Sequence, residues 1–504
     1  MHHTKFLAIC AFAAAAHAQV IASIGGQVYN SATDDPVNGA TIILSRADGD
    51  GKPQEFVTEK RGLFLFESLP PGRYLLFAEC PGFARTAFGA RGNSLSGATL
   101  SLVEAQQMNN LAFALTPAAS IAGKITDDTG AVVQGARVLA LQPVYQRAKR
   151  EYLPVASVVS DASGDYKIDS LNAGEYLIAA SVNTGTTFFP SAAAISGAQH
   201  VTVAAAASES GKDIRMIKPS GRSVAGALTG GKAAIAWLTP KGGATSLVLR
   251  LPAKIQPDGT FSFADVAPGA YLLNATEADG VTSAAAPVSV TVLQKDLDGI
   301  TLHAQAGSEL EGDVALGTNE IALPPGIQII LETADAPLPR PVRTTVDAKG
   351  KFRIPVLPPG RYLLHVLAPE GLFVRSAKYR GADLLNEPFD FGGAPAPMLI
   401  QLSASGASAG GSVRGADGSP IPGATVALVP TLHRLSRFKE VTTDQFGEYH
   451  FDGIAPGDYR IYAFDHITPG QYEDAQWMKK YEFKGQPLTA KSGGKETIPL
   501  KALE

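Results

Sequence analysis

Between Arg61 and Glu79 the chain reads RGLFLFESLPPGRYLLFAE. Phe64 and Phe66 stand two apart before the Pro-Gly pair, and Tyr74 follows two residues after it. A period of two is that of a strand with one face on a core. Pro presets φ and Gly tolerates φ > 0, so the pair between the runs is turn chemistry. The pattern predicts two strands folded back as a hairpin. It returns as SGDYKIDSLNAGEYLIAAS from Ser163, DGTFSFADVAPGAYLLNAT from Asp258, KGKFRIPVLPPGRYLLHVL from Lys349 and FGEYHFDGIAPGDYRIYAF from Phe446.

The first glycines of these blocks, Gly62, Gly164, Gly259, Gly350 and Gly447, are 102, 95, 91 and 97 residues apart. That is too long for a solenoid repeat and suits a domain with its own core. A second glycine always follows ten residues later, at Gly72, Gly174, Gly269, Gly360 and Gly457. Two residues further on stands Tyr74, Tyr176, Tyr271, Tyr362 or Tyr459. A tyrosine just past such a corner can bury its ring and turn its hydroxyl onto upstream backbone, which phenylalanine cannot do. Turn signals give about seven strands in each copy of roughly 100 residues. The expected fold is all-β, a tandem array of about five antiparallel seven-stranded β-sandwiches after a signal peptide. The expected divisions are 1–18 (signal), 19–117, 118–219, 220–305 (divergent), 306–404 and 405–504.

Upstream of the blocks, DDPVNGATIIL, DDTGAVVQGARVLAL and ADGSPIPGATVALV each give a turn, then Gly-Ala, then a β-rich run. The order G-A-x-V, T-D-x-x-G-x-(F/Y)-x-F, L-x-P-G-x-Y-x-L resembles the carboxypeptidase regulatory-like domain. It is strong in copies one, two and five, fair in four and weak in three. The resemblance implies a transthyretin-like or immunoglobulin-like sandwich, grouped with carbohydrate-binding-like folds. It implies very little chemistry, because this domain follows the catalytic domain of zinc carboxypeptidases and carries none of its catalytic residues.

Lys5, the apolar run Phe6–Ala16 and AHA at Ala16–Ala18 read as a signal peptide cut before Gln19, too short to span a bilayer. Cys80 is then the one remaining cysteine, so each unit must be held by its own core; we read it as a small buried apolar residue. The net charge of −4 leaves no basic face of the size nucleic-acid binding needs. No later apolar run reaches the length of a membrane helix.

Several motifs imitate catalysis. His200, His303, His365, His433, His450 and His466 form no zinc-ligand spacing, and only His433, His450 and His466 share a copy. GASAG at Gly406–Gly410 matches a hydrolase elbow, but Ser408 opens a strand rather than a strand-turn-helix. GALTGGKA at Gly226–Ala233 lacks the Ser or Thr and the helix of a phosphate loop. DGDG at Asp48–Gly51 lacks the later ligands of a calcium loop. Isopeptide-forming sandwiches need an inward carboxylate four residues past the corner tyrosine. Here those positions are Ala78, Ala180, Ala275, Val366 and Ala463.

We therefore expect no enzyme, catalytic residue, metal or cofactor. What is left is binding surface, where the copies differ. Copies two and five carry PVYQRAKREYLP and PTLHRLSRFKE, and copy five adds an aromatic tail with Asp474 placed to cap a short helix. Candidate binding residues are Tyr145, Tyr152, Tyr472, Trp477 and Tyr481, although Trp477 and Tyr481 are better suited to covering one end of the sandwich. Trp237 reads as core. The expected role is an exported scaffold or adhesion-like binder, secreted, periplasmic or envelope-associated, with polysaccharide or envelope and surface proteins as partners. The alternative is a carbohydrate-binding protein. Short links such as Thr116–Ser120 predict limited flexibility and an elongated array.

Overall fold

The computed structural model describes residues 22–503 except 48–50, 92–96, 183–184, 218–220, 242–249, 280–283, 306, 318–321, 335–340, 393–395 and 433–434. The signal segment with Cys10, most of the DGDG turn and His433 lie outside the described residues. The rest is built almost wholly from strands. They enclose five large hydrophobic clusters, and the aromatic or aliphatic pair at the head of each repeated block is buried in one of them.

In the first unit, one sheet places Ala22–Asn30 between Leu63–Leu69 and Gln107–Leu115. The other pairs Thr41–Arg46 with Gln54–Val57 and with Gly72–Glu79. The strands flanking the turn therefore lie in different sheets and do not pair with each other, and the same holds in units two to four. In the fifth unit the two arms again do not pair, although Leu500–Leu503 joins the two halves of the sandwich into one continuous sheet. The expected hairpin is an arch. Period-two alternation identifies an inward face but not the partner strand, and both arms of an arch face one core as two arms of a hairpin would.

Each sandwich also pairs its first strand in parallel with its last, where antiparallel pairing throughout was expected, and the second and fifth units add further parallel bridges. Parallel first and last strands send the chain in at one end of the sandwich and out at the other. That direction leads each unit on to the next.

The corner is held by its tyrosine. The hydroxyls of Tyr74, Tyr176, Tyr271, Tyr362 and Tyr459 donate to the carbonyls of Pro70, Asn172, Ala267, Pro358 and Ala455, four residues upstream, at 2.7–2.9 Å. Burial pushes the Tyr176 phenol up to about 12 and raises Tyr271 and Tyr362 as well.

A second device lies four residues before each block's first glycine. Thr58, Ser160, Ile255, Val346 and Thr443 each donate a backbone N–H to the carbonyl of Ala40, Ala136, Ala234, Ile327 and Ala424. Where the residue is Thr or Ser its buried hydroxyl completes a clamp. Thr443 Oγ1 accepts from Ala424 N–H at 2.9 Å and donates to Ile421 O at 2.6 Å. Thr58 bonds Ala40 and Val37 in the same way, and Ser160 bonds Ala136 and Val133. The Gly-Ala of the sequence motif thus supplies the N–H that a hydroxyl clamp accepts. Units three and four place Ile255 and Val346 there and have no such hydroxyl.

Trp237 is not core. Ala236 and Leu238 face inward, so Trp237 lies on the outer face, with Arg250 3.8 Å over its ring and its Nε1 donating to Thr276. Cys80 packs half-buried at the edge of the first core, and burial raises its thiol pKa.

Candidate functional site at the junction of the sandwiches

The insertion of the second unit is a long hairpin, Arg137–Gln146 paired with Lys149–Val159. Its two-residue turn, Arg147–Ala148, has φ of 52° and 60°. Two left-handed residues match the twist of a hairpin, but neither is the Gly or Asn that adopts them cheaply. Contacts from outside the unit hold this tip. Arg147 Nη2 donates to Glu332 Oε2 of the fourth unit at 2.6 Å and lies 3.2 Å from His365 Nε2. Ala148 N–H donates to Glu473 of the fifth unit at 3.2 Å, and Tyr145 N–H to Pro469 O at 2.8 Å. Partial burial lowers the Arg147 pKa, with Glu332 and Glu473 opposing that shift. The hydrogen bond from His365 is the largest cause holding the Glu332 carboxyl down.

The fifth unit reaches the first as well. Arg91 donates to Asp465 Oδ1 at 2.6 Å and to Pro422 O at 2.8 Å. Gln445 exchanges two hydrogen bonds with the backbone of Ser101, and Thr442 Oγ1 donates to Gly97 O. Gly423 meets Gly89 so closely that a Cβ would fall 1.7 Å from the Gly89 carbonyl oxygen. Against the fourth unit, Gly453 packs on Leu372, and a groove of about 370 Å³ runs between Leu364, Leu372, Phe373, Leu428, Phe438 and Lys439. The link Thr116–Ser120 is itself bonded, with Ala118 N–H to Gly82 O and Ala206 N–H to Pro117 O. The array is not extended: its last unit folds back onto the first, second and fourth. Link length limits how far neighbours can separate but says nothing about contacts between distant units.

The candidate aromatics fall into two outer clusters. Tyr152, 6% exposed, packs with Leu139, Leu141, Leu177 and Phe188 on the outer face of a second-unit sheet, its hydroxyl 2.9 Å from His200 Nε2. Tyr472 (7% exposed) and Tyr481 (5%) join Tyr462, Phe464 and Met478 on the corresponding face of the fifth unit. Trp477 is half-buried there, 4.8 Å from the Tyr481 ring centroid, with the Lys480 ammonium 4.5 Å over it. Asp474 caps Ala475–Met478 by accepting from Gln476 and Trp477 N–H. Tyr145, part-exposed, is brought to the fifth unit by its backbone, where Gly470 packs on its carbonyl. The structure therefore brings the second unit's insertion to the fifth unit's aromatic tail, but it spends most of these rings on covering sheets. The contact residues that sequence reasoning missed, Arg91, Arg147, Glu332, Gln445 and Glu473, are single polar side chains without periodicity. The one available signal was that copies two and five are the two that carry insertions.

The imitations of catalysis resolve into strands. Ser408 lies in Ala407–Arg414 with its N–H on Gly494 O, and Gly226–Thr229 ends the strand from Arg222. Ala78, Ala180, Ala275 and Ala463 are buried and Val366 is half-buried. His450 and His466 pair separately with Asp452 and Asp465, and no group of three His, Cys, Asp or Glu placed to hold a metal occurs among the described residues. No helix among them is long and apolar enough to cross a membrane.

The carboxypeptidase regulatory-like domain matches residues 23–116, 120–215 and 409–479, together just over half of the chain. These are the three units that carry the hydroxyl clamp. No curated protein matches the sequence. Among solved structures, the chain is similar to the TIE protein of Bacillus anthracis, at 14% identity over 73% of this chain and 68% of that one, TM-score 0.17. It is also similar to a streptococcal ancillary pilin, at 11% identity over 56% of this chain and 99% of that one, TM-score 0.19. The major pilin subunit of Bacillus cereus is similar at 12% identity over 56% and 100%, TM-score 0.14.

Proposed function

Since the chain belongs to the carboxypeptidase regulatory-like domain family, we propose that it is a non-enzymatic exported protein, a scaffold or adhesion-like binder of the cell envelope. The observation that carries this reading is the docking of the fifth unit on three others, on the first and second through bonds to backbone and on the fourth through packing. Linked sandwiches that lock together form one frame with fixed outer surfaces, which suits holding partners better than turning over a substrate. The repeated corner supports the same reading, because its inward positions are Ala or Val and its tyrosine hydroxyl is committed to the backbone. Stacking on a sugar would fall mainly to the exposed part of Trp477, since Tyr152, Tyr472 and Tyr481 give their faces to neighbours. The reading predicts that purified residues 19–504 are retained saturably on isolated cell envelopes and turn over no member of a glycoside, ester and peptide substrate panel. Heat-labile hydrolysis co-eluting with the chain would overturn it.

A further inference from the structure

The turn after the fifth unit's short helix presents Phe483, 87% exposed, the most exposed large hydrophobic side chain among the described residues. The turn is anchored on both sides. Tyr481 is buried in the outer aromatic cluster, and Lys484 N–H donates to its carbonyl at 2.8 Å. Gly485 is buried beneath the Tyr462 ring, where a Cβ would come within 2.5 Å, and Arg460 Nη1 donates to the Gly485 carbonyl at 3.0 Å. Phe483 is therefore held out by rigid neighbours. Around it Lys479, Lys480 and Lys484 are exposed, against one carboxylate on the same turn, Glu482. The ammonium of Lys480 lies over Trp477 and Tyr481, and that of Lys484 over Tyr481, which keeps these charges beside the apolar tip.

From this arrangement we propose that the Phe483 turn docks the protein on an anionic lipid surface. Phe483 enters the boundary between headgroups and acyl chains, while the three lysines meet lipid phosphates. Charge complementarity selects the occupant: an apolar protein groove has no use for three flanking ammoniums, and a soluble polyanion has none for a protruding phenyl ring. An aromatic tip ringed by lysines satisfies both layers of a lipid interface. The proposal rests on the reading of an exported envelope protein and names the surface it meets.

The test is co-sedimentation of residues 19–504 with vesicles of phosphatidylglycerol and phosphatidylcholine in equal parts, and with phosphatidylcholine alone. Binding is expected only to the anionic vesicles. It should weaken about fivefold for each of Lys479→Gln and Lys484→Gln, and about tenfold for Phe483→Ala, with melting temperatures unchanged because these side chains are exposed. Equal binding to both vesicles, or binding indifferent to Phe483→Ala, would overturn the proposal. So would retention on envelopes without vesicle binding, an outcome that leaves the scaffold reading standing.

Discussion

Replacing Gly350 by alanine should unfold the fourth sandwich at temperatures where the other units remain folded. Gly350 has φ +79°, and an added Cβ would sit 2.3 Å from the carbonyl oxygen of Val314. That oxygen is backbone and cannot swing away as a flexible side chain would. The Gly350 carbonyl also accepts Val314 N–H at 2.7 Å, so relieving the clash pulls on the bond that ties the block to the unit's first strand. The left-handed conformation alone costs a side chain about 1–2 kcal/mol. With the lost hydrogen bond and displaced backbone the total is about 3–5 kcal/mol, a large share of the roughly 5–15 kcal/mol that holds a domain folded. The control lies in the same unit. Gly326 has φ +87° with nothing within 4 Å of an added Cβ, so Gly326→Ala should cost only the conformational part. Calorimetry should show one transition of Gly350→Ala lowered by at least about 12 °C, and hydrogen exchange should assign it to residues 308–403. Equal effects of the two substitutions would mean that the close approach at Gly350 does not constrain the fold.

Thr443→Val should be the most damaging conservative change in the fifth unit. The side chains are nearly equal in volume, and Thr443 is fully buried. Valine would leave both Ala424 N–H and Ile421 C=O without the hydroxyl that now bridges them. Stranding a buried donor and acceptor costs about 2–4 kcal/mol together. Its neighbour Thr442 uses its hydroxyl on Gly97 O of the first unit. Thr442→Val should therefore loosen the contact between units while costing the fifth unit about 1 kcal/mol or less. Urea unfolding followed at Trp477 reads both. A midpoint for Thr443→Val within error of the unmodified chain would remove the clamp from the account.

What the sequence made legible follows from how each feature is written in it. Phe64 and Phe66, Phe261 and Phe263, or Tyr449 and Phe451 alternate with polar neighbours, so strand, inward face and number of blocks could be read directly. Partner choice could not, because an arm with Phe64 inward has the same pattern whether it pairs with Gly72–Glu79 or, as found, with Ala22–Asn30. Trp237 reads as core within a strand, yet its flanking Ala236 and Leu238 take the inward face and leave it on the outer one. Tyr472 and Tyr481 stood out as aromatics in an insertion, but covering a second sheet face calls for the same residues as stacking on a ligand. The closure of the array was invisible, because it depends on pairs such as Arg91 and Asp465, which lie 374 residues apart and belong to no repeat.

Because the fifth unit closes the chain on itself, the dimensions of residues 19–504 in solution are fixed, and small-angle scattering measures them. A compact chain of this length has a radius of gyration of about 23 Å, whereas five sandwiches strung end to end would reach roughly 50 Å. The closed arrangement predicts a value below about 30 Å. Gly470→Asn should raise it, since asparagine tolerates the left-handed backbone while its Cβ would press to 2.2 Å from Tyr145 O. A radius near the extended value for the unmodified chain would contradict the account.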